Sequence, residues 1–270
     1  MPSLATAVLD IKQLDLLAYA DSPIHRLDAR AKVLVTIIFC GAVISFGKYD
    51  LSALLPYCIF PFAMVARGNL PPMFILRKMA LLCPFILIVA AFNPLFDHSL
   101  AVRIGVVQIT GGWVSFLSIA IRSLLTVSAA LILVGVTGFT NICRALEKLG
   151  IPRAFTVQLL FLYRYLFVLA EEGERASRAR ELRSFGTRGL GMGSYKNLIG
   201  SLLLRTWERA ERVHMAMLAR GFKGEFHGRQ ISRFGRAEIM HVAGWTSAFL
   251  LLRFVNASRL LGELLLGVIS

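Results

Sequence analysis

The chain has 270 residues, of which 56% are hydrophobic and only 17% charged, and its mean hydropathy is +0.66. A soluble domain carries about 25% charged residues, so this composition excludes an ordinary water-soluble fold and indicates an integral membrane protein. The formal net charge of +14 is concentrated in one region, because 18 of the 30 Lys and Arg residues lie between Arg144 and Arg236, beside 8 acidic residues.

The first 32 residues alternate acidic and basic side chains and contain no basic stretch that leads into an apolar core. We therefore expect no cleaved signal peptide. We interpret residues 1–32 as a cytoplasmic N-terminal segment that precedes the first membrane span.

Five apolar runs follow, most of them without charge: 33–47, 51–66, 79–96, 104–143 and 239–252. A membrane-spanning helix needs about 20 apolar residues, with about 17 as a practical minimum. The third run meets this requirement, and the first two meet it when flanking residues are included. We predict that the first two form a short helical pair.

The run 104–143 is too long for one helix and is interrupted only by Arg122. Its beginning, "RIGVVQITGG", alternates in polarity and ends in Gly111-Gly112, which predicts a short non-helical excursion. The fourth span then covers about 113–138. Residues 33–143 therefore contain spans one to four, and 237–270 contain the last span and the C-terminus.

Charge in the loops supports five spans, because cytoplasmic loops are enriched in Lys and Arg. If the chain starts inside, four spans return it to the cytoplasm at Arg144, where the basic region begins. Counting 104–143 as two spans would place that region outside. We therefore predict an all-α integral membrane protein with about five transmembrane helices and a cytoplasmic module at 144–236.

Three helices are predicted within this module. "NICRALEKLGIPRAF" indicates a short helix that stops at Gly150 and a second that starts after Pro152, since proline fits only the first turn of a helix. The second helix covers about 153–185, with an apolar first half and a charged second half. Glycines between 186 and 193 then break the chain.

The third helix, about 197–221, has one predicted apolar stripe and a basic opposite face. The stripe consists of Leu203, Trp207, Ala210, Val213 and Met217. On the other face, Glu208 can pair with Arg212, whereas Arg205, Arg209 and Arg220 are predicted to be largely uncompensated. Arg220 in the last turn suits the negative end of the helix dipole, and Gly221 suits a left-handed C-cap.

Metal, disulfide and nucleotide sites are not expected in this chain. The four cysteines are far apart and the five histidines are not spaced to share a helix face. No GxxxxGK[ST] phosphate-binding motif occurs in the sequence. We therefore predict no catalytic residues, no cofactor and no bound metal.

Four segments, in order along nearly the whole chain, resemble the transmembrane T component of energy-coupling-factor (ECF) transporters. They are "SPIHRLDARAKVL", "ALEKLGIPRAFTVQLLFLYRYL", "RARELRSFG" and "RAERVHMAMLARGF". The detailed similarity is to the cobalt-type, CbiQ-like branch. His25, Arg26, Asp28 and Lys32 match the N-terminal pattern of that family, although a juxtamembrane charge cluster is an alternative explanation.

The resemblance implies which residues couple this chain to its partners. In the family, two helices end in small-Arg-Gly motifs whose arginines dock into grooves on two ABC-type ATPase subunits. The second motif matches Ala219, Arg220 and Gly221, whereas the first has Leu182-Arg183-Ser184, with Leu for Ala and Ser for Gly. We therefore expect Arg183 and Arg220 to make the contacts, with Ser184 lacking the free backbone conformations of glycine.

The resemblance also implies a function as the energy-coupling subunit of an ATP-driven importer in the cell inner membrane. ATP and Mg would be bound by the two partner ATPases, and the transported species by a separate membrane subunit, the S subunit, which is expected to bind a metal ion. Cobalt is the expected cargo from the branch, with nickel and then vitamins as the competing cargoes. Lipid bilayer is an expected partner and nucleic acid is not.

Interpretations from other classes remain. A stand-alone channel or permease would explain Arg122 and Asn93-Pro94 in apolar surroundings, because polar residues within a membrane often mark a pathway. A membrane-tethered nucleic-acid binder could use the same arginines, but the interleaved glutamates fit a protein surface better. A membrane enzyme has least support, since no acid-base or nucleophile arrangement recurs at a usable spacing.

Overall fold

The computed structural model describes residues 13–47, 51–96, 100–104, 107–183, 192–224 and 234–254. The helices of the first half are α1 (Ala29–Ile44), α2 (Leu51–Leu54), a 3₁₀ turn (Leu55–Cys58), α3 (Ile59–Gly68), α4 (Pro72–Phe96) and α5 (Gly111–Thr137). Those of the second half are α6 (Phe139–Lys148), α7 (Arg153–Arg183), α8 (Met192–Ala219) and α9 (Arg236–Phe254).

A short antiparallel hairpin of β1 (Leu100–Ile104) and β2 (Val107–Thr110) precedes α5. This hairpin is the non-helical excursion that the alternation and the glycine pair predict. The described elements are otherwise helical, so the chain is an all-α membrane protein, as expected. The helix of the third predicted span begins at Pro72, earlier than the apolar run at 79–96. Its first turns therefore include Arg77 and Lys78.

Three described helices are long and apolar enough to cross a membrane: α4 over Pro72–Phe92, α5 and α7. At 1.5 Å per residue, the 16-residue α1 extends only about 24 Å, less than the roughly 30 Å hydrocarbon core. α7 belongs to the module predicted to be cytoplasmic. The count of five spans therefore stays a prediction.

The chain divides into two compact units, which are described separately. The bundle unit comprises residues 16–138 and 232–270, and the three-helix unit comprises residues 1–15 and 139–231. α1 to α5 and α9 belong to the first, and α6 to α8 to the second.

The bundle unit is built around an aromatic core. The ring of Phe39 is fully buried and lies 4.5 Å from the ring of Phe60 and 5.4 Å from that of Phe249, measured between centroids. The hydroxyl of Tyr57 donates a 2.9 Å hydrogen bond to the carbonyl of Phe249. Because an unpaired phenol in an apolar core is costly, this bond ties the 3₁₀ turn to α9.

Many apolar side chains of the bundle unit are nevertheless exposed, above all on α4. Leu81 is 72% exposed, Phe85 68% and Ile88 61%. Such a surface is unfavourable in water but matches lipid tails, which are as apolar as leucine. The exposed face of α4 therefore agrees with a position in the bilayer.

Two arginines from different helices hold the segment in which the chain leaves α1. Arg122 of α5 donates from one guanidinium nitrogen to the carbonyls of Phe46 and Gly47, each at 3.1 Å. Arg253 of α9 donates to the carbonyl of Ser45, the C-cap residue of α1, at 3.1 Å, and its guanidinium lies 4.2 Å from the centre of the Phe46 ring. Carbonyls at and beyond a helix end have no partner within the helix, and these arginines bond three of them.

We expect Arg122→Leu to lower the thermal stability of the purified chain in detergent. The substitution removes both hydrogen bonds to the segment that follows α1, and the loss of hydrogen bonds from a charged donor corresponds to about 1–3 kcal/mol. Arg122→Lys keeps a cationic donor without the fork and should lie between the two. Thermal unfolding followed by tryptophan fluorescence measures the effect.

Arg205→Leu provides the control, because Arg205 is an exposed arginine of α8 without a bond to any described residue. It should change the midpoint little. A stable Arg122→Leu protein with the unfolding midpoint of the wild type would show that Arg122 does not hold α1, and would return it to the channel interpretation.

Candidate coupling site in the three-helix unit

α6 ends and α7 begins through local signals that the sequence contains. At the end of α6 the amide of Ile151 donates to the carbonyl of Leu146 at 3.1 Å, and Gly150 has a φ of 107°. This left-handed glycine and the bond that spans it form a Schellman C-cap. Pro152 follows, its carbonyl accepts from the amide of Phe155 at 3.0 Å, and α7 starts at Arg153, as predicted.

α7 and α8 pack as an antiparallel pair. Near the middle of α7, buried Gly173 faces Leu202 of α8, and a Cβ built there would lie in ordinary contact distance, 3.9 Å, of a Leu202 methyl carbon. Further along α8, Val213 and Met217 line a cleft with Phe161 and with earlier residues of α7. Later residues of α8 therefore pack against earlier residues of α7, as expected for an antiparallel pair.

An ion pair joins the two helices beside this contact. A guanidinium nitrogen of Arg209 lies 3.2 Å from a carboxylate oxygen of Glu172, and their side chains are 37% and 14% exposed. The prediction that Arg209 is largely uncompensated is therefore wrong, because its partner lies on α7 and not on its own helix. The predicted pair of Glu208 and Arg212 is confirmed, at 3.7 Å.

The predicted apolar stripe of α8 is only partly the face that packs. Val213 and Met217 face α7, whereas Leu203 is 65% and Trp207 72% exposed. α7 covers a face that also includes Leu202 and Arg209. The apolar surface of α8 is wider than one neighbouring helix can cover, so a spacing of three and four does not define which part is buried.

α8 ends in the geometry predicted from "ARGF". The amide of Phe222 donates to the carbonyl of Met217 at 3.0 Å, that of Gly221 donates to Leu218 at 2.9 Å, and Gly221 has a φ of 78°. This is a complete Schellman motif, with Met217 and Phe222 at the positions where an apolar contact usually accompanies it. Ala219 is the last helical residue, and the backbone of Arg220 is thereby fixed.

The side chain of Arg220 is exposed and lines a cleft of about 820 Å³. Arg164, Lys223 and the aromatic rings of Phe161 and Tyr165 also line the cleft, and none of its lining residues is acidic. Arg220 makes no ion pair or side-chain hydrogen bond within the described part of the chain. Three cations therefore surround one opening, which suits an acidic group of another molecule.

Arg183, the other predicted contact, is the last residue of α7 and is also exposed. Ser184, which follows it, lies outside the described residues. Because Arg220 lies beside Arg164 and the helix rises 1.5 Å per residue, the 19 positions between Arg164 and Arg183 correspond to about 28 Å. The two arginines consequently lie at opposite ends of the helix pair and do not form one site.

Sequence reasoning did not identify Arg164 or Lys223 as part of this surface. Arg164 interrupts the apolar run "FLYRYLF", which was the one available signal. Over the ranges that the structure describes, no group of three His, Cys, Asp or Glu residues is placed to hold a metal ion.

The chain is similar to a known family of membrane transport proteins. A family model described as "CbiQ: Cobalt transport protein" matches residues 20–230. An energy-coupling factor transporter transmembrane protein of Heliobacterium modesticaldum is 32% identical over 221 residues, which are 76% of this chain and 81% of that protein.

Two further relatives match over shorter stretches, one described as a cobalt transport protein and one uncharacterized. The cobalt transport protein CbiQ of Salmonella typhimurium is 35% identical over 108 residues, 39% of this chain and 48% of that protein. An uncharacterized protein of Methanocaldococcus jannaschii is 33% identical over 107 residues, 38% of this chain and 39% of that protein. The chain thus aligns with less than half the length of these two relatives.

The ion pair between α7 and α8 should contribute more to stability than an exposed pair. Arg209→Ala leaves the largely buried carboxylate of Glu172 without its cation, and we expect a loss of about 1–3 kcal/mol in the free energy of unfolding. A double-mutant cycle with Glu172→Gln isolates the coupling energy. Reversible unfolding in mixed micelles of detergent and dodecyl sulfate provides the measurement.

The pair Glu208–Arg212 is the matched control, since it lies on α8 with side chains 66% and 70% exposed. Its coupling energy should be about 0.3–0.5 kcal/mol, as for other exposed pairs one turn apart. Equal coupling energies in the two cycles would contradict the packing of α7 on α8.

Proposed function

The chain belongs to the CbiQ-like family of ECF transporter T components, and from this premise we propose that it is the T subunit of an ECF-type ABC importer. In this proposal two partner ABC-type ATPase subunits hydrolyse ATP, and a separate membrane subunit captures the cargo. The chain itself transmits the motion between them. It binds neither ATP nor Mg, which belong to the partner ATPases.

The observation that carries the proposal is the basic opening at the end of α8. Arg220 lines it with two further cations and no acidic residue, while the Schellman turn fixes its backbone. A planar guanidinium can make two parallel bonds to a carboxylate, and such bonds strengthen when a protein partner excludes water. The opening therefore suits an acidic groove on an ATPase subunit.

The position of Arg183 supports a second docking point. It lies about 28 Å from Arg164 along α7, on the scale of the length of a 20-residue helix. This separation suits two docking points, one on each of the two proposed ATPase subunits. We propose that Arg183 with Ser184 docks on one ATPase, and Ala219, Arg220 and Gly221 on the other.

Cobalt is the proposed cargo. The family model and the Salmonella typhimurium relative are both described as cobalt transport proteins, whereas the Heliobacterium modesticaldum relative has no cargo in its name. Uptake of nickel or of a vitamin would leave the coupling role unchanged, because the cargo is captured by another subunit. Cobalt, nickel and vitamin uptake by the assembled complex would separate these cargoes.

The channel interpretation loses one of its two supports. It depended on Arg122 and on Asn93-Pro94 in apolar surroundings, and a guanidinium nitrogen of Arg122 donates to the carbonyls of Phe46 and Gly47. A structural task accounts for this charge without a conducting pathway.

Arg220→Glu should release the ATPase subunits from the complex. The change brings like charges together at a partly desolvated contact, where the cost can reach several kcal/mol, so we expect more than about tenfold less ATPase retained per chain. Arg220→Lys should be milder because it keeps the charge and loses the fork. The measurement is co-purification with co-expressed ATPases, with cobalt uptake in cells beside it.

The matched control is Arg205→Glu, the same charge reversal at an exposed arginine elsewhere on α8. Arg183→Glu should also weaken assembly, and the double variant should lose most of it. If Arg220 only caps its helix, the change costs about 0.3–1 kcal/mol of stability and leaves the complex intact. A stable, membrane-inserted Arg220→Glu protein with its ATPases and normal uptake would refute the coupling role, as would ATP hydrolysis by the isolated chain.

We propose that the module 144–236 lies at the cytoplasmic face of the inner membrane. Lys148 and Gly189 flank α7, so they lie on one side if α7 runs along the surface and on opposite sides if it spans. We expect Lys148→Cys and Gly189→Cys, in a background without native cysteines, to react with a membrane-impermeant thiol reagent only in inverted vesicles.

Lys48→Cys, between α1 and α2 in the sequence, is the proposed external control and should react in intact cells. Labelling of Gly189→Cys alone from outside would show that α7 crosses the membrane. Labelling of both flanking positions from outside would reverse the proposed orientation.

A further inference from the structure

His25 lies at one end of the bundle unit, and both nitrogens of its ring have hydrogen-bond partners. Its Nε2 lies 3.1 Å from the carbonyl oxygen of Leu17 and its Nδ1 lies 2.6 Å from the hydroxyl of Ser22. A carbonyl can only accept, so Nε2 carries the proton and Nδ1 accepts from Ser22. Burial lowers the pKa of His25, which favours this neutral form.

Lys32 of α1 contacts the last turn of α5. It is only 3% exposed, and its ammonium donates a long 3.4 Å hydrogen bond to the carbonyl of Val136 in the last turn of α5. Asp28, 6% exposed, accepts from the amide of Arg30 at 2.9 Å and interacts electrostatically with the ammonium of Lys32. Against the larger effect of burial, the backbone of Gly135, in the last turn of α5, acts to raise the pKa of His25, so His25 also lies near this turn.

The contacts to Leu17 and Val136 lie close in sequence to residues at which the chain passes between the two units. The unit boundaries fall after Asp15, after Gly138 and after Ile231. Leu17 is two residues from the first boundary and Val136 two residues from the second. On α9, which follows the third, His241 interacts electrostatically with Lys32.

Gly138 is the single residue between α5 and α6, and its backbone can change direction more easily than that of either helix. Its φ is 76°, a left-handed conformation that glycine adopts without strain, and its amide closes α5 by a 2.8 Å bond to the carbonyl of Val134. A glycine between two helices can absorb a displacement by bending. If α6 moves, the motion is passed on to the bundle unit only when the end of α5 is held firmly to the rest of that unit.

We propose that His25, Asp28 and Lys32 form an N-terminal clasp that holds the last turn of α5, so that motion of the three-helix unit is delivered to the bundle unit instead of being absorbed at Gly138. The inference rests on the proposed function, because the motion comes from the ATPases. The three residues act as positioning residues and do not touch the cargo. A buried cation on a helix C-terminal carbonyl suits this task, since it opposes the negative end of the α5 dipole.

Hydrogen–deuterium exchange of the purified complex with its ATPases tests the clasp. Exchange is measured with and without a non-hydrolysable ATP analogue, in peptides covering the end of α5 (130–138) and the end of α8 (210–221). In the wild type both peptides should respond to nucleotide. In Lys32→Met the response at α8 should persist, while the response at α5 should fall about threefold or more, as for positions that carry coupling between sites.

His25→Leu is the second variant, because its side chain is less buried and its removal is less disruptive than that of Lys32. Ser128→Ala is the control: it removes a buried hydroxyl of α5 that bonds only within its own helix, to the carbonyl of Leu125. The control should respond as the wild type does at both peptides.

The outcomes separate the clasp from the coupling role on which it rests. An unchanged α5 response in both clasp variants, or a loss at α5 and α8 together, overturns the clasp while leaving the coupling role intact. A wild-type complex that retains no ATPase, or whose α8 peptide ignores nucleotide, overturns the proposed function instead. Faster exchange at α5 that does not depend on nucleotide would assign Lys32 a purely structural role and would also overturn the clasp.

Discussion

Helix ends are the constraint on which the rest of this structure depends. In a bilayer the last carbonyls of a helix have no water to bond, so side chains from elsewhere must supply donors. The bundle unit uses cations at such places: Arg253 bonds the C-cap residue of α1, Arg122 bonds the two residues that follow it, and Lys32 bonds the last turn of α5. Each cation belongs to a different helix from the one it completes, so the same bonds also fix how the helices are arranged.

The three-helix unit solves the same problem in another way. α6 and α8 end in Schellman turns, in which glycines at 150 and 221 let the backbone bond its own carbonyls. Arginine is then not needed to complete the end of α8. The Arg220 side chain is consequently available at the surface, on a backbone that the turn already holds in one conformation.

Local features of this fold could be predicted from the sequence, and distant contacts could not. Gly150 and Pro152 mark the break between α6 and α7, and the glycine pair that begins α5 marks the end of the hairpin, because each signal acts on its own backbone. The partner of Arg209 is 37 positions away on α7 and that of Arg122 is a carbonyl 76 positions away. No spacing rule along one helix reports such pairs.

The candidate site shows the same division. The cap at Gly221 was predictable from "ARGF", whereas the part of Arg164 in the cleft around Arg220 depends on how α7 lies on α8. Likewise, the periodicity of α8 indicates an apolar surface but not that α7 covers Val213 and leaves Trp207 exposed. Packing decides which half of a wide apolar face is buried.

The antiparallel packing of α7 on α8 has a mechanical consequence. The Glu172–Arg209 ion pair and the packing of Gly173 against Leu202 hold α7 and α8 side by side, so the pair resists shortening along its axis. A rod attached at both ends to approaching bodies must tilt. If the proposed ATPases bind its two ends, their closure along one line would become rotation about another axis.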